Sequence, residues 1–260
     1  MTLVEAFLLG LIQGLTEFLP VSSSGHLELG HALLDMHGEG NLLFAIVVHG
    51  ATVLSTLVVF RQDIIHLLSG LSAFKWNEET RYVALLLLSA VPVAVVGLFF
   101  RIEIEGLFSG NLVFVGILLL MTASLLAFTY FTGTRTGKIR WYDALIIGVA
   151  QAIAVLPGIS RSGSTIATGL LLGKRKEEMA RFSFLMVIFP ILGANLLDLF
   201  SGEMKSSGAI GAIPLIVGFA TAFLSGLVAC KWMIGIVKKG KLIYFSVYCL
   251  IIGLIAIFAA

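Results

Sequence analysis

The sequence predicts an all-α polytopic membrane protein with an inverted-topology repeat, each half one re-entrant helical hairpin plus three transmembrane helices. Three observations carry that expectation. The 260 residues are 58% hydrophobic and only 12% charged, with a mean hydropathy of +1.05, whereas a soluble domain carries roughly 25% charged residues. Apolar runs recur along the chain at Leu42–Phe60, Ala84–Phe100, Leu112–Phe131, Phe182–Phe200, Ile213–Trp232 and Leu242–Ala260. Each is near the ~20 residues that cross a ~30 Å hydrocarbon core. Finally, two polar stretches resemble each other at a spacing of 138 residues. A single membrane domain over 1–260 is the simplest division, with repeat halves at about 1–131 and 141–260, because no long polar linker interrupts the pattern.

Composition also narrows the partners. A net charge of +2 is too small to suggest nucleic acid, and the basic residues lie in loops between apolar runs. Cys230 and Cys249 fall inside apolar runs and read as buried small hydrophobes, not as a disulfide or metal pair. The start, "MTLVEAFLLG", lacks a basic segment before its apolar one, so a cleaved signal peptide is not expected.

The repeated stretches are "GLIQGLTEFLPVSSSGH" from Gly10 and "GVAQAIAVLPGISRSGS" from Gly148. Gly10 meets Gly148, Gln13 meets Gln151, Ser22 meets Ser160, Ser24 meets Ser162 and Gly25 meets Gly163; Leu19-Pro20 meets Leu156-Pro157 after a one-residue slip. Each copy reads as a short helix, a break at Leu-Pro and a second short helix. Proline lacks the N–H an interior position needs and biases its predecessor out of the helical region. The second helices, Ser24–Leu34 and Ser162–Leu172, have eleven residues each, roughly 16 Å at 1.5 Å per residue. That is about half a bilayer, as in re-entrant hairpins, whose irregular tips survive only when buried in protein or lining a cavity.

Three full spans separate the copies, so the two hairpins point in opposite directions, and sites in such architectures form where broken helices meet near the midplane. Loop charge orients the whole. One side collects Arg61, Lys75, Arg81, Arg135, Lys138, Arg140, Lys174, Arg175, Lys176, Arg181, Lys238, Lys239 and Lys241, and the other only Arg101 and Lys205. Cytoplasmic loops carry the Lys/Arg excess. The expectation is a multi-pass protein of the inner or plasma membrane with both termini outside and a site opening to the outer face.

An ionisable group at membrane depth is a functional candidate by default. Glu17 follows Gln13 by four residues, on the same helix face, and His26 opens the next helix. In the second copy Val155 stands at the Glu17 position, Ser164 at that of His26, and Arg161 at that of Ser23. One tip brings carboxylate and imidazole, the other guanidinium. Arg161, with Ser160, Ser162, Ser164 and Thr165 around it, reads as an anion site, as a snorkelling Arg, or as a partner of Glu17. For the first reading, guanidinium offers a planar donor fork to phosphate, helix starts at Ser24 and Ser162 aim N–H groups at the same place, and Gly25, Gly158 and Gly163 permit close backbone approach.

Among Ser22, Ser23 and Ser24, one hydroxyl is expected merely to cap a helix. A nucleophile needs a neighbouring base; for Ser23 the candidates are His26, three residues on, and Glu17, or else these residues activate water and Ser23 only binds. Glu17 with Gln13 gives one charged and one neutral oxygen, a poor cage for Mg²⁺ unless substrate phosphates complete it. Glu28 and His31 are expected to pair near the outer end of their helix. His49 and Asp198 read as cavity-lining or inter-helix hydrogen-bonding groups outside the reacting set.

With these residues in hand, the chain resembles the undecaprenyl pyrophosphate phosphatase family, also called the bacitracin-resistance protein family. "QGLTEFLPVSSSGH" matches that family's (E/Q)-x-x-x-E motif with its Ser-rich stretch and His, and "PGISRSGST", Pro157 to Thr165, matches its P-G-x-S-R-S-x-x-T motif. "HGATVLSTLVVFRQDI" and "FSFLMVIFPILGA" also look like family segments, so the resemblance spans essentially the full length. It implies a membrane phosphatase that removes the terminal phosphate of undecaprenyl pyrophosphate, recycling the lipid carrier of cell-wall synthesis. The family roles fall on Glu17, Ser23, His26 and Arg161 as catalytic residues, with Gln13, Ser22, Ser24, Gly25, Gly158, Ser160, Ser162, Gly163 and Thr165 around the substrate. The resemblance further implies no tightly bound cofactor, help from a divalent cation (Mg or Ca, with Glu17 as its candidate ligand), a polyprenyl pyrophosphate substrate among membrane lipids, and a homodimer as an open question. Many members carry Glu where this chain has Gln13, so a mechanism needing two carboxylates is in doubt. The alternative is a flippase or transporter of polyprenyl phosphate built on the same inverted-repeat site.

Overall fold

The computed structural model describes residues 1–34, 41–107, 110–133, 136–201 and 210–259, and of 41, 42, 105 and 196–201 only the backbone. Among the described residues the chain is helical and contains no strand. In order, the helices are α1 (Leu3–Thr16), α2 (Ser23–Leu33), α3 (Asn41–Val59), α4 (Arg61–Leu71), α5 (Glu78–Phe99), α6 (Arg101–Leu107), α7 (Leu112–Phe128), α8 (Trp141–Ile153), α9 (Arg161–Leu171), α10 (Lys176–Met186), α11 (Ile188–Ser201), α12 (Ala212–Lys239) and α13 (Ile243–Phe258), with a 3₁₀ turn at Thr129–Phe131.

Glu78–Phe99, Leu112–Phe131 and Ala212–Lys239 are each long and apolar enough to cross a membrane, and α3 with α4 passes the same test as a pair bent by 74°. The protein is a multi-pass membrane protein. The bend after Val59 falls where Arg61 and Asp63 enter the sequence, and charged groups leave the hydrocarbon for its surface. The expected span Phe182–Phe200 is instead two helices, α10 and α11, meeting at Val187. Pro190 fits this break: its nitrogen cannot donate back to Met186, and it sits in the first turn of α11, where no such bond is needed. Arg135 and Lys205 lie outside the described residues, as does the Asp198 side chain.

The two short-helix pairs are present. α1 opens with a reciprocal cap, Glu5 N–H donating to Thr2 Oγ1 at 3.2 Å and Thr2 N–H to Glu5 Oε2 at 2.8 Å. It stops at Thr16, four residues before Pro20, and α8 stops at Ile153, four before Pro157. The following helices, α2 and α9, begin one residue earlier than the expected Ser24 and Ser162.

Packing runs across the halves. α1 lies on α12, α8 on α5, and α7 on α13, while α9 sits among α7, α8 and α10. Lipid tails are as apolar as leucine, so close van der Waals approach, not exclusion of water, holds such helices together. Glycines make the approach possible. A Cβ at Gly10 of α1 would stand 2.6 Å from the Gly218 carbonyl oxygen of α12, and one at Gly148, its repeat partner, would strike the Ser89 carbonyl of α5. Gly116 of α7 and Gly253 of α13 face each other backbone to backbone, added Cβ atoms falling 2.7 and 2.9 Å from the opposite carbonyl oxygens. The largest core gathers Phe18, Phe60, Phe182, Phe184, Ile147, Ile166, Met179 and Met233 from both halves. Within it Phe18 and Phe184 meet edge to face at 5.8 Å. Cys230 and Cys249 are free and buried, as the sequence suggested.

Candidate active site

The two helix breaks converge. Ser22 caps α2, its hydroxyl accepting from Gly25 N–H at 3.3 Å, and Ser160 caps α9, accepting from Gly163 N–H at 3.0 Å. These are equivalent positions of the repeat doing the same local job. Ser22 does a second one, because its oxygen also accepts from Gly158 N–H of the other tip at 3.1 Å. Ser22 adopts φ +72°, the left-handed region a non-glycine residue rarely enters, a strain of about 1–3 kcal/mol that surrounding contacts must hold. Gly158, at φ +106°, lies so close that a Cβ on Gly25 would stand 3.1 Å from its Cα. Ser162 Oγ donates to the Leu19 carbonyl at 3.2 Å, completing the seam. Ser22, Gly25, Gly158, Ser160, Ser162 and Gly163 therefore weld the tips together, and the hydroxyls of Ser22, Ser160 and Ser162 are spent on backbone partners.

The chemistry sits on this seam. Arg161 Nη2 donates to Glu17 Oε1 at 2.6 Å, and Arg161 Nη1 to the Ser183 carbonyl of α10 at 3.2 Å. Glu17 Oε2 accepts from Ser23 Oγ at 2.8 Å and from Gln13 Nε2 at 3.0 Å. Glu17 and Gln13 are buried, at 8% and 0% exposure, while Ser23 is only half-buried and borders open space. Thr165 Oγ1 lies 2.6 Å from Ser183 Oγ and 3.0 Å from the Arg161 carbonyl, so Thr165 braces the turn that carries the guanidinium. Gln13 turns its nitrogen to the carboxylate, which leaves its Oε1 buried without a partner. Its contact is with Glu17, which it orients.

Of the two candidate bases for Ser23, His26 is not its partner. Its Nδ1 bonds the Ser22 carbonyl at 2.8 Å, its Nε2 lies 2.9 Å from the Tyr248 hydroxyl, and its ring stacks on Tyr248 at 5.6 Å. The group bonded to the Ser23 hydroxyl is Glu17. Nor does Glu28 pair with His31: its carboxylate accepts from the Gly110 backbone, and His31 Nε2 is buried without a hydrogen-bond partner. Ser24, half-buried, stands 3.4 Å from Ser22 Oγ, and Ser164 is buried in α9 behind Arg161.

Two contributors escaped sequence reading. Ser183 and Tyr248 lie far along the chain, where a lone hydroxyl carries no signal. His49 of α3 places Nε2 3.9 Å from Glu17 Oε2, nearer the carboxylate than a mere cavity lining requires.

A resident divalent cation does not fit this donor set. A hard cation takes six or more oxygen ligands. Here a single carboxylate has both oxygens engaged by protein donors, and its neighbour presents an amide nitrogen. Among the described residues no three His, Cys, Asp or Glu side chains come together.

A hydroxyl on a carboxylate on a guanidinium, beside two helix N-termini, is a donor-rich arrangement that can receive an anion. The family model "Bacitracin resistance protein BacA" matches residues 6–255. The chain belongs to the BacA family. Relatives match it over nearly its whole length: it is 58% identical over 257 residues to the undecaprenyl-diphosphatase of Bacteroides fragilis, covering 97% of this chain and 96% of that one. It is 57% identical over 261 residues to that of Parabacteroides distasonis, covering 99% and 98%, and 38% identical over 266 to that of Oceanobacillus iheyensis, covering 98% and 96%. The BacA match begins at Ala6 in α1 and ends within α13, so both hairpins and the helix carrying Tyr248 lie inside it.

Proposed function

We propose that this protein is an undecaprenyl-diphosphatase, which hydrolyses undecaprenyl pyrophosphate to undecaprenyl phosphate and inorganic phosphate and so returns the lipid carrier to cell-wall synthesis. The observation that carries the reading is the relay Ser23–Glu17–Arg161, 2.8 and 2.6 Å link by link, in a chain similar to such enzymes from end to end. Glu17 takes the proton of the Ser23 hydroxyl as Ser23 attacks the terminal phosphorus, and the lipid phosphate leaves. Arg161 has five N–H donors, of which Glu17 and Ser183 engage two. The remaining three face the charge that spreads over the phosphoryl oxygens, the dominant need in phosphoryl transfer. N–H groups in the first turns of α2 and α9 add positive potential at the same point.

His26 is placed at the rim, where it meets the lipid-side phosphate on releasing Tyr248. Ser24 stands beside it. The polyprenyl tail follows an apolar lateral groove, and the cavity of about 370 Å³ between Pro92, Val95 and Val96 of α5 and Val149, Ala152 and Ile153 of α8 has that character. A divalent cation, in this reading, is carried by the pyrophosphate oxygens and not by the protein.

The two halves are read as an inverted repeat with both termini outside and the site opening outward. Support comes from packing that exchanges between the halves, α1 on α12 against α8 on α5, and from the facing pair Gly116 and Gly253, themselves 137 residues apart. The same symmetry would serve a flippase. Phosphate release by detergent-solubilised protein separates the two, since a micelle has no sides to transport between. Wild-type protein should release phosphate from undecaprenyl pyrophosphate in detergent, and Ser23→Ala should not. Full hydrolysis by Ser23→Ala would leave Ser23 as a ligand only, and no hydrolysis by the wild type would leave transport.

A further inference from the structure

Hydrolysis through a phosphoserine moves two protons at the site. In the first step the Ser23 Oγ–P bond forms, the P–O bond to the lipid phosphate breaks, and the Oγ proton passes to Glu17. In the second a water oxygen bonds to phosphorus and the Oγ–P bond breaks. Glu17 then returns its proton to Oγ. The proton of the attacking water needs a different base. Gln13, the nearest side chain on the Glu17 helix face, is an amide and cannot take it. His26 holds the Ser22 carbonyl with Nδ1 and, once the lipid phosphate has left, the Tyr248 hydroxyl again with Nε2.

We propose that His49 is that second base, its Nε2 taking the proton of the water that cleaves the phosphoserine. The inference rests on the phosphoserine route given above. Three observations support it. His49 Nδ1 lies 2.8 Å from the Ala45 carbonyl oxygen; a carbonyl only accepts, so Nδ1 carries the hydrogen and the neutral ring keeps its lone pair on Nε2. That nitrogen is aimed at the reacting group, 3.9 Å from Glu17 Oε2, the same oxygen that holds Ser23. At 3.9 Å no hydrogen bond spends the lone pair. Finally, the His49 side chain is 28% exposed beside a carboxylate at 8%, so of this pair the imidazole is the one water reaches. The ring is held in place because α3 is fixed to α12 through Ser55 Oγ, which donates to the Phe223 carbonyl at 2.8 Å. Once inorganic phosphate has left, the imidazolium yields its proton to solvent and the cycle closes.

His49→Asn tests this with little disturbance, because the asparagine amide can still donate to the Ala45 carbonyl while Nε2 is gone. The probe is undecaprenyl pyrophosphate radiolabelled in its terminal phosphate, mixed with detergent-solubilised protein and quenched in acid. The expected result is one equivalent of lipid phosphate per protein at close to the wild-type rate, label accumulating on Ser23, and steady-state turnover lowered about 10²-fold or more. His49→Gln, which also lacks a base, should trap the same species. Wild-type turnover in both variants overturns the proposal. So does a first turnover slowed as much as the steady state, with no label on protein whose thermal unfolding matches the wild type. Failure of the phosphoserine route itself reads differently: Ser23→Ala would then hydrolyse the substrate whatever stands at position 49.

Discussion

Arg161 and Glu17, 144 residues apart in sequence, form an ion pair of 2.6 Å that joins the two hairpin tips. Both side chains are largely withdrawn from water, at 14% and 8% exposure. Removing one partner of such a pair strands the other, at a cost of about 3–5 kcal/mol. Arg161→Ala should therefore lose turnover and also unfold at lower temperature in detergent. Arg161→Lys separates the two effects. An ammonium can neutralise Glu17 but cannot also reach Ser183 and fork around a phosphoryl group. It should restore most of the stability while turnover stays down by about 10²–10³-fold. Lysine supporting near-normal rates would show that only charge is needed there.

The crossing of α7 and α13 offers a test of the fold apart from the chemistry. A Cβ at Gly116 would stand 2.7 Å from the Gly253 carbonyl oxygen, a backbone atom that cannot swing aside. Gly116→Ala should destabilise the protein by roughly 1–3 kcal/mol through overpacking. Gly97 on α5 has nothing within 4 Å of an added Cβ. Gly97→Ala should be neutral or stabilising by about 0.5–1 kcal/mol, since alanine costs less backbone entropy than glycine in a helix. Thermal unfolding of the two variants should thus move in opposite directions.

How much of this was written in the sequence varies with the length scale. The helix breaks were legible because Leu19-Pro20 and Leu156-Pro157 are local instructions, and both following helices lie within one residue of expectation. The union of Glu17 with Arg161 was open to inference from the repeat, since one tip lacked what the other carried. The choice between His26 and Glu17 as the partner of Ser23 was not. Sequence proximity favoured His26, three residues on, but the strained φ of Ser22 turns α2 so that the imidazole faces Tyr248 and the hydroxyl faces back to Glu17. Spacing along a helix says nothing about a torsion just before it. Ser183 and Tyr248 were beyond reach for a related reason: each is a lone hydroxyl far along the chain, and only tertiary packing brings it to the tips.

A second buried pair closes the opposite end of the second hairpin. Lys174 Nζ lies 2.6 Å from Asp143 Oδ2, with side chains at 8% and 2% exposure, and also donates to the Lys138 carbonyl at 3.3 Å. Asp143 Oδ2 in turn accepts from Arg140 N–H at 2.8 Å, capping α8. Lys174→Met should destabilise by about 3–5 kcal/mol, because it leaves the buried carboxylate without its counter-charge. Adding Asp143→Leu should recover most of that loss, short of the cap's ~1 kcal/mol. Both variants keep the Ser23–Glu17–Arg161 relay, so their turnover below the unfolding temperature should match wild type.

Tyr248 gives the most direct reading of how substrate enters. A carbonyl can only accept, so His26 donates from Nδ1 to Ser22 and receives the Tyr248 hydroxyl at Nε2, 2.9 Å away. For His26 to meet an anionic phosphate that bond must break and Nε2 must take up a proton, because a lone pair cannot hold a phosphate oxygen; the broken bond, between neutral groups, is worth about 1 kcal/mol. Tyr248→Phe keeps the ring stacked on the imidazole and removes only the competitor. KM should fall several-fold, since every 1.4 kcal/mol is a factor of ten, and kcat should stay unchanged because the bond is already broken before chemistry begins. Initial rates over a range of undecaprenyl pyrophosphate concentrations supply both constants. A tenfold drop in kcat at constant KM would instead make the hydroxyl part of the transition state and move Tyr248 from the entrance into the reaction.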